Sequence, residues 1–118
     1  MSPDEAEQPS YAELLQQRIR QARGQRDSLL DAIADVRLAR SLTFADDEHD
    51  PEGSTLSLDQ ARDAALLARA QQSLTELTAA EERLADGSYG VCGRCGGPIP
   101  AERLRARPEA RWCVPCSG

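Results

Sequence analysis

The sequence predicts a mostly α protein: an antiparallel two-helix coiled-coil hairpin followed by a small four-cysteine zinc-finger module. Three observations predict this fold. Two long stretches carry apolar residues at alternating spacings of three and four, an acidic segment containing proline and glycine separates them, and all four cysteines of the 118 residues lie near the C-terminus. Aromatic residues make up only 3% of the chain, too few for a large apolar core.

The first helix is predicted over residues 10–42. Ser10 and Glu13 have the spacing of a capping box, in which each side chain accepts a hydrogen bond from an otherwise unpaired backbone N–H. Gly24 weakens the helix by about 1 kcal/mol relative to alanine but does not have to end it. The predicted buried stripe, with seven apolar positions of nine, is Ala12, Leu15, Ile19, Ala22, Arg26, Leu29, Ile33, Val36 and Arg40.

The second helix is predicted over residues 58–86. Ser57 and Gln60 form a second capping box, and Gly87 suits the left-handed position that follows a helix end. The predicted stripe consists of Leu58, Ala61, Ala65, Leu67, Ala70, Leu74, Leu77, Glu81 and Leu84. Because each helix has one apolar stripe and the connection is short, we expect the helices to bury these stripes against each other as a hairpin over residues 10–86. The alternative is a hairpin that dimerises into a four-helix bundle.

Residues 43–56 form the predicted tip of the hairpin, and residues 1–9 are predicted to be a disordered tail. The tip contains a dense group of acids, Asp46, Asp47, Glu48, Asp50 and Glu52, together with His49. These carboxylates repel one another unless they are hydrated or face cations. A hydrated connecting loop is one interpretation. The functional one is that the tip presents negative charge to a narrow, magnesium-bearing site, and a second metal site at the tip is a weaker alternative.

The cysteines follow the pattern C-x2-C-x17-C-x2-C, formed by Cys92, Cys95, Cys113 and Cys116. Two such pairs at this separation indicate a zinc site, and four thiolate ligands leave no open position for water, so we expect one structural Zn²⁺. Two disulfides or an iron site are the alternatives. Gly96 and Gly97 permit the positive φ that a tight turn requires. The module is predicted over residues 87–118, with a short helix over 101–106 after Pro100.

Several function classes are disfavoured by composition. The chain begins without an apolar run, so neither a secretory signal nor a membrane span is expected, and four cysteines without secretion favour metal binding in the cytoplasm. A net charge of −6 argues against DNA as the main partner. We expect no enzyme activity, because no nucleophile–base pair or phosphate-binding loop is found. A zinc-finger nucleic-acid binder remains an alternative because arginines are frequent near the cysteines, and a dimerising adaptor is another. These arginines are Arg94, Arg103, Arg105, Arg107 and Arg111.

The segment DGSYGVCGRCGGPIPAERLRARPEARWCVPC, from Asp86 to Cys116, closely resembles the zinc module of the DksA/TraR family of bacterial transcription regulators. The hairpin resembles the family in length and order, with a looser sequence. The resemblance implies a protein that binds RNA polymerase rather than DNA. It further implies that the coiled coil enters the secondary channel of the polymerase and brings the tip close to the catalytic magnesium, where it modulates initiation.

The sequence departs from the family in two places. The family's tip motif D-P-x-D-x-A is matched at Asp50 and Pro51, whereas Gly53 replaces the second aspartate. The additional acids Asp46, Asp47 and Glu48 lie just upstream. The resemblance also implies that Arg107 contacts the alarmone ppGpp or the polymerase. Since an acid lies near the matching position of the second helix, at Glu76, and no C-terminal helix follows Cys116, we expect a weak ppGpp response or none.

Overall fold

The computed structural model describes residues 10–43 and 53–117, and side chains over 10–42 and 57–117. Two long helices, α1 (Tyr11–Thr43) and α2 (Gly53–Asp86), precede two short ones, α3 (Ala101–Ala106) and α4 (Val114–Ser117). The only β pairing among the described residues is an isolated bridge between Val91 and Pro98. The mostly α fold class is confirmed, and α1 and α3 lie where the sequence predicts them.

The start of α1 uses the predicted cap. The backbone N–H of Glu13 donates to Ser10 Oγ at 3.2 Å, and the N–H of Leu14 donates to the Ser10 carbonyl at 2.9 Å. These bonds satisfy two of the backbone donors that lack a partner in the first turn of a helix. The helix then continues without a break through Gly24, as expected.

Gly24→Ala is expected to raise the free energy of unfolding by about 1 kcal/mol, because alanine loses less backbone entropy than glycine in a helix interior. A Cβ atom at this position meets nothing within 4 Å, so no contact opposes the gain. Thermal unfolding followed by circular dichroism measures the effect. A lower melting temperature than that of the wild type would contradict it.

The start of α2 differs from the prediction. The helix begins at Gly53, so Ser57 lies inside it rather than at its cap. Serine and threonine lower helix propensity by only a few tenths of a kcal/mol, and a capping pattern is therefore a preference that a helix can extend past. The end of α2 is as predicted: Gly87 has φ +87°, and the N–H of Ser88 donates to the Arg83 carbonyl at 3.0 Å. A hydrogen bond from an N–H to the carbonyl five residues earlier, just past a glycine with positive φ, is typical of a Schellman C-cap.

The chain divides into two compact units. One consists of residues up to Gln21 and from Leu74 onwards; in its helical part α1 contributes the buried Leu15 and Ile19, and α2 contributes Leu77 and Ala80. The predicted stripe is thus confirmed at Leu15, Ile19 and Leu77. It is wrong at Ala12, which is exposed, and it omitted the buried Ala80. The zinc module belongs to the same unit.

The other unit is residues 22–73, where the remaining parts of α1 and α2 lie side by side. Its only fully buried described residues are Ala22 and Ala70, and the larger stripe residues are half-buried: Leu29, Ile33, Val36 and Leu67. Arg40 Nη1 donates to Gln60 Oε1 at 2.8 Å, which pairs the end of α1 with the beginning of α2, as an antiparallel arrangement requires.

The predicted stripe of α2 is wrong at its beginning. Leu58, Ala61 and Ala65 are exposed, whereas Gln60 and Asp63 are half-buried. Counting back from Leu67 in steps of four and three reaches positions 63 and 60. The helix therefore keeps the register set by its later leucines, although this places polar residues in the stripe.

Some predictions fall on residues outside the described ranges. They are the disordered tail at 1–9 and the acidic tip residues Asp46, Asp47, Glu48 and Asp50. The ends of the predicted tip, at Thr43 and residues 53–56, are helical. No helix in the described part of the chain combines the length and apolarity that a membrane crossing requires.

Candidate metal centre

The four cysteines lie together. Their Sγ atoms are all within 4.8 Å of one another, and those of Cys95 and Cys113 are 3.7 Å apart. A tetrahedral zinc site with Zn–S bonds of about 2.3 Å requires sulfurs about 3.8 Å apart, so the donor set fits one Zn²⁺. All four cysteines are free thiols, so the disulfide alternative is not supported. The chain therefore has the geometry for the single structural Zn²⁺ that the spacing predicts.

The first cysteine pair is shaped by backbone hydrogen bonds. The N–H of Cys92 donates to the Gly97 carbonyl at 2.8 Å, and the N–H of Gly96 donates to the Cys92 carbonyl at 3.0 Å. Gly96 has φ +72°, as the tight turn requires, whereas Gly97 does not have a positive φ. Instead, the Gly97 N–H lies 3.4 Å from Cys95 Sγ, where it can stabilise negative charge on the sulfur.

The second pair is held by α4 and tied to the first. The N–H of Cys116 donates to the Cys113 carbonyl at 3.1 Å, which forms the turn that aims both sulfurs the same way. Two bonds cross between the pairs: the N–H of Gly93 donates to the Arg111 carbonyl at 2.9 Å, and Arg94 Nη1 donates to the Cys116 carbonyl at 3.0 Å. The four ligands are thus positioned largely by main-chain groups.

The pKa values of two of the thiols shift in opposite directions. Backbone N–H groups, those of Cys95 first and Cys113 next, lower the pKa of the Cys92 thiol to about 6. Hydrogen bonds from the neighbouring thiols, Cys113 foremost, raise the pKa of Cys116 to about 12. Four thiolates this close repel one another, and a divalent cation removes that repulsion. Binding of zinc therefore releases protons, and protons compete with the metal as the pH falls.

A small apolar cluster supports the site. Cys92, Ile99 and Leu104 are buried, and Tyr89 and Trp112 pack against them. Tyr11 also packs here, with its ring centroid 5.2 Å from that of Tyr89. The role of Tyr11 was not predictable, because no local sequence pattern links the first turn of α1 to residues so distant in the chain.

Most of the local arginines bind the module itself. Arg103 Nε donates to the Trp112 carbonyl at 2.9 Å, and the guanidinium carbons of Arg94 and Arg111 lie 5.3 and 5.1 Å from the centroid of the Trp112 ring. Such cation–π contacts contribute about 0.5–1 kcal/mol each at exposed sites. The arginine content of the module therefore has a structural explanation that does not require nucleic acid.

Arg107, the predicted contact residue, is placed differently. Its side chain is 68% exposed, and its Nε lies 3.7 Å from a carboxylate oxygen of Glu109. An exposed pair at this distance contributes little to stability. Arg107 follows α3 and is available to a partner. The structure thus brings the four cysteines together, leaves Arg107 at the surface, and does not describe the tip acids.

Tyr89→Phe is expected to destabilise the module by about 1 kcal/mol at neutral pH, because the phenol donates to the Pro108 carbonyl at 2.8 Å. Burial is also the main cause that raises the pKa of Tyr89 to about 12, from 10.0. The unfolded chain then loses this proton first, so the wild type loses stability as the pH rises from 10 to 12.

Chemical denaturation at a series of pH values measures both effects. The phenylalanine variant should lose less stability than the wild type over this interval. Because Tyr89 is only half-buried, the difference between the two proteins should be smaller than the full pKa shift of Tyr89 would give. Parallel pH profiles for the two proteins would show that Tyr89 does not contribute in this way.

Comparison with known proteins supports the site. Residues 87–118 match the family model described as "Prokaryotic dksA/traR C4-type zinc finger". The structure is similar to that of transcription factor DksA2 from Pseudomonas aeruginosa, with a TM-score of 0.53 and 26% identity, covering 93% of this chain and 88% of that one.

Three curated relatives match over shorter segments. An uncharacterised protein of Aquifex aeolicus is 44% identical over 45 residues, covering 38% of this chain and 31% of that protein. General stress protein 16O of Bacillus subtilis is 38% identical over 68 residues, covering 58% of this chain and 42% of that protein. The RNA polymerase-binding transcription factor DksA of Caulobacter vibrioides is 41% identical over 46 residues, covering 39% of this chain and 32% of that protein. The chain thus covers less than half the length of each of these curated relatives.

The family match falls on the four-cysteine module, and the structural similarity extends over both long helices. The order of two long helices followed by the metal module is also the one that the sequence predicts. On these grounds residues 87–118 are a zinc finger of the dksA/traR C4 type, in a chain whose fold is similar to that of DksA2.

Proposed function

We propose that this protein is a non-enzymatic transcription regulator that binds bacterial RNA polymerase. The observation that carries the proposal is the similarity to the transcription factor DksA2, which extends over 93% of this chain. The shorter match to a protein named for RNA polymerase binding supports the same partner. The net charge of −6 favours a protein partner over direct, sequence-specific DNA binding.

The proposed mechanism uses the acidic segment between the two long helices. The segment enters the secondary channel of the polymerase and brings Asp46, Asp47, Glu48 and Asp50 near the catalytic magnesium. Negative charge there changes the electrostatic potential around the metal and the incoming nucleotide, and so modulates initiation without any chemistry by this chain. Zinc, when bound, supplies four metal–sulfur bonds that hold residues 87–117 folded. The protein acts in the cytoplasm, where the polymerase is found.

Asp47→Ala and Asp50→Ala are each expected to retain polymerase affinity and lose most of the effect on initiation, since they remove tip charge and leave both helices intact. In vitro transcription, combined with a polymerase binding assay, separates the two properties. Asp31→Ala, which removes an exposed acid from α1, is the matched control and should regulate normally. Unimpaired regulation by both tip variants would refute the tip mechanism.

Arg107 is the proposed contact with polymerase or with ppGpp. Its exposed guanidinium suits a phosphate or a carboxylate of a partner. We propose that ppGpp enhances this protein weakly or not at all. Strong enhancement of its effect by ppGpp, lost in Arg107→Ala, would contradict this part of the proposal.

Photo-crosslinking tests the partner and the direction of insertion. A photo-reactive residue at position 50 of the full-length, zinc-loaded protein should crosslink to the catalytic region of the largest subunits of core polymerase. The same residue at the exposed position 17 of α1 serves as a control and should not reach that region. Absence of any polymerase crosslink from position 50, with fold and zinc content intact, would overturn the proposed function.

A further inference from the structure

The turn formed by residues 107–110 follows α3 and carries the exposed Arg107. The helix ends just before Arg107, which has φ −136° and ψ 83°, because the residue before a proline is disfavoured in the helical conformation. The N–H of Arg107 donates to the Arg103 carbonyl at 2.7 Å, and the N–H of Ala110 donates to the Arg107 carbonyl at 3.0 Å. Pro108 is fully buried. These local contacts define the turn but do not attach it to the long helices.

Two side chains at the end of α2 bind consecutive carbonyls of this turn. Arg83, in the last turn of the helix, donates from Nη2 to the Glu109 carbonyl at 3.3 Å. The hydroxyl of Tyr89, three residues past the helix, donates to the Pro108 carbonyl at 2.8 Å. The two donors are tied to each other, because the N–H groups of Ser88 and Tyr89 both donate to the Arg83 carbonyl, at 3.0 and 3.1 Å. All of these residues belong to one compact unit, so the turn is attached to α2 at two adjacent points.

The contact of Arg83 with the turn has an electrostatic cost. The side chain is half-buried, and burial is the main cause that lowers its pKa, followed by the nearby positive charge of Arg111. Arginine side chains at a protein surface usually keep their charged end in water. The guanidinium of Arg83 is instead partly desolvated and bonds the Glu109 carbonyl. The fold therefore maintains this contact against both desolvation and charge repulsion.

The side chain of Arg107 leans on the residue that Arg83 holds. Its Nε lies 3.7 Å from Oε1 of Glu109, whose side chain is only 22% exposed. By bonding the backbone of Glu109, Arg83 fixes the place of this carboxylate, and the carboxylate limits the directions that the Arg107 guanidinium can take. An arginine that is already oriented loses less side-chain entropy when it binds a partner.

We propose that Arg83 is a positioning residue for the contact between Arg107 and RNA polymerase: it holds the 107–110 turn on α2, so that the Arg107 guanidinium is oriented before the polymerase binds. The inference rests on the proposed function and deepens it, since Arg83 acts through Arg107 rather than on the partner. Tyr89 is the second anchor of the turn, through the adjacent Pro108 carbonyl. Orientation in advance improves affinity because the cost of ordering the side chain is met during folding.

Hydrogen exchange of the free, zinc-loaded, full-length protein tests whether Arg83 holds the turn. Arg83→Met removes the donor and keeps an unbranched side chain of high helix propensity. The N–H of Ala110, whose hydrogen bond lies inside the turn, should then exchange about threefold faster or more by NMR. The N–H of Cys92, bonded within the first cysteine pair, should keep its wild-type rate. Arg20→Met makes the same change at an exposed position of α1 and should alter neither rate.

An unchanged exchange rate at Ala110 in Arg83→Met would overturn the proposal. So would an equal acceleration at Cys92, because it would show a general loss of stability in the module rather than release of the turn.

A double-mutant cycle with core RNA polymerase tests the role of Arg83 in binding. Arg83→Met should weaken polymerase binding about threefold to tenfold in the wild-type background. It should have no further effect in Arg107→Ala, where no guanidinium remains to be positioned. A loss of positive charge alone would instead weaken binding equally in both backgrounds, and that result would overturn the proposal. Wild-type affinity in Arg107→Ala would overturn it as well.

The two levels of the argument fail in different ways. Absence of any polymerase crosslink from position 50 overturns the proposed function and, with it, the role of Arg83 in binding. A normal crosslink combined with equal effects of Arg83→Met in both backgrounds overturns the positioning role alone. The exchange rates report on the turn without polymerase and are independent of both outcomes.

Discussion

Cys113→Ser is expected to abolish stoichiometric zinc binding and to unfold the module formed by residues 87–117. A serine hydroxyl does not replace a thiolate as a zinc ligand at neutral pH, and the described part of the module buries only four residues, Cys92, Ile99, Leu104 and Pro108. Structural zinc sites contribute about 10–16 kcal/mol of apparent binding free energy, far more than such a cluster provides. The long helices are expected to retain most of their helical signal.

Zinc content by atomic emission, and thermal unfolding by circular dichroism and Trp112 fluorescence, measure the change. Ser117→Ala is the matched control, because it alters an exposed neighbour whose hydroxyl donates to the Val114 carbonyl and not to a cysteine among the described residues. Wild-type protein treated with a chelator should behave like Cys113→Ser, and more readily at acidic pH, where protons compete for the thiolates. One bound zinc and an unchanged melting temperature in the variant would refute the structural role of this ligand.

Gly93→Ala is expected to destabilise the zinc module, although Gly93 is not a ligand. A Cβ atom at position 93 would lie 2.8 Å from Cζ3 of Trp112, closer than carbon atoms approach without displacement. The ring has little freedom to move, because it packs against the buried cluster and lies beside the guanidinium groups of Arg94 and Arg111. We expect a loss of about 1–3 kcal/mol in the free energy of unfolding of the module.

Denaturation monitored by Trp112 fluorescence reports this loss at the affected ring, and a competing chelator measures the accompanying decrease in zinc affinity. Gly24→Ala makes the same chemical change at an open helical position and should stabilise the protein instead. Equal effects of the two substitutions would show that the approach of Gly93 to Trp112 does not constrain the module.

The sequence predicts the zinc site well, because the cysteine spacing reflects a local requirement. Each C-x2-C turn is a short backbone structure, and the glycine at position 96, just past the first pair, supplies the positive φ that its turn needs. The helix stripes are predicted correctly where leucine or isoleucine occupies every turn. They fail at Leu58, Ala61 and Ala65, where the register is set by residues further along α2 rather than by local composition.

Contacts between distant parts of the chain were not predictable in the same way. Nothing near Tyr11 indicates that its ring packs on Tyr89, and nothing near Arg103 indicates a bond to the Trp112 carbonyl. Such pairs depend on where two complete elements meet in space, and a single sequence does not record that information.

The packing of Tyr11 against Tyr89 has a consequence for biosynthesis. Translation produces the first turn of α1 early, whereas its partner ring emerges only after both long helices have been made. The helices need only contacts that are close in sequence and can form during elongation, but this ring pair closes a loop of most of the chain and forms last. Until the cysteine module has emerged and folded around its metal, Tyr11 therefore lacks the Tyr89 ring as a docking surface, and we expect this contact to form only when zinc is available.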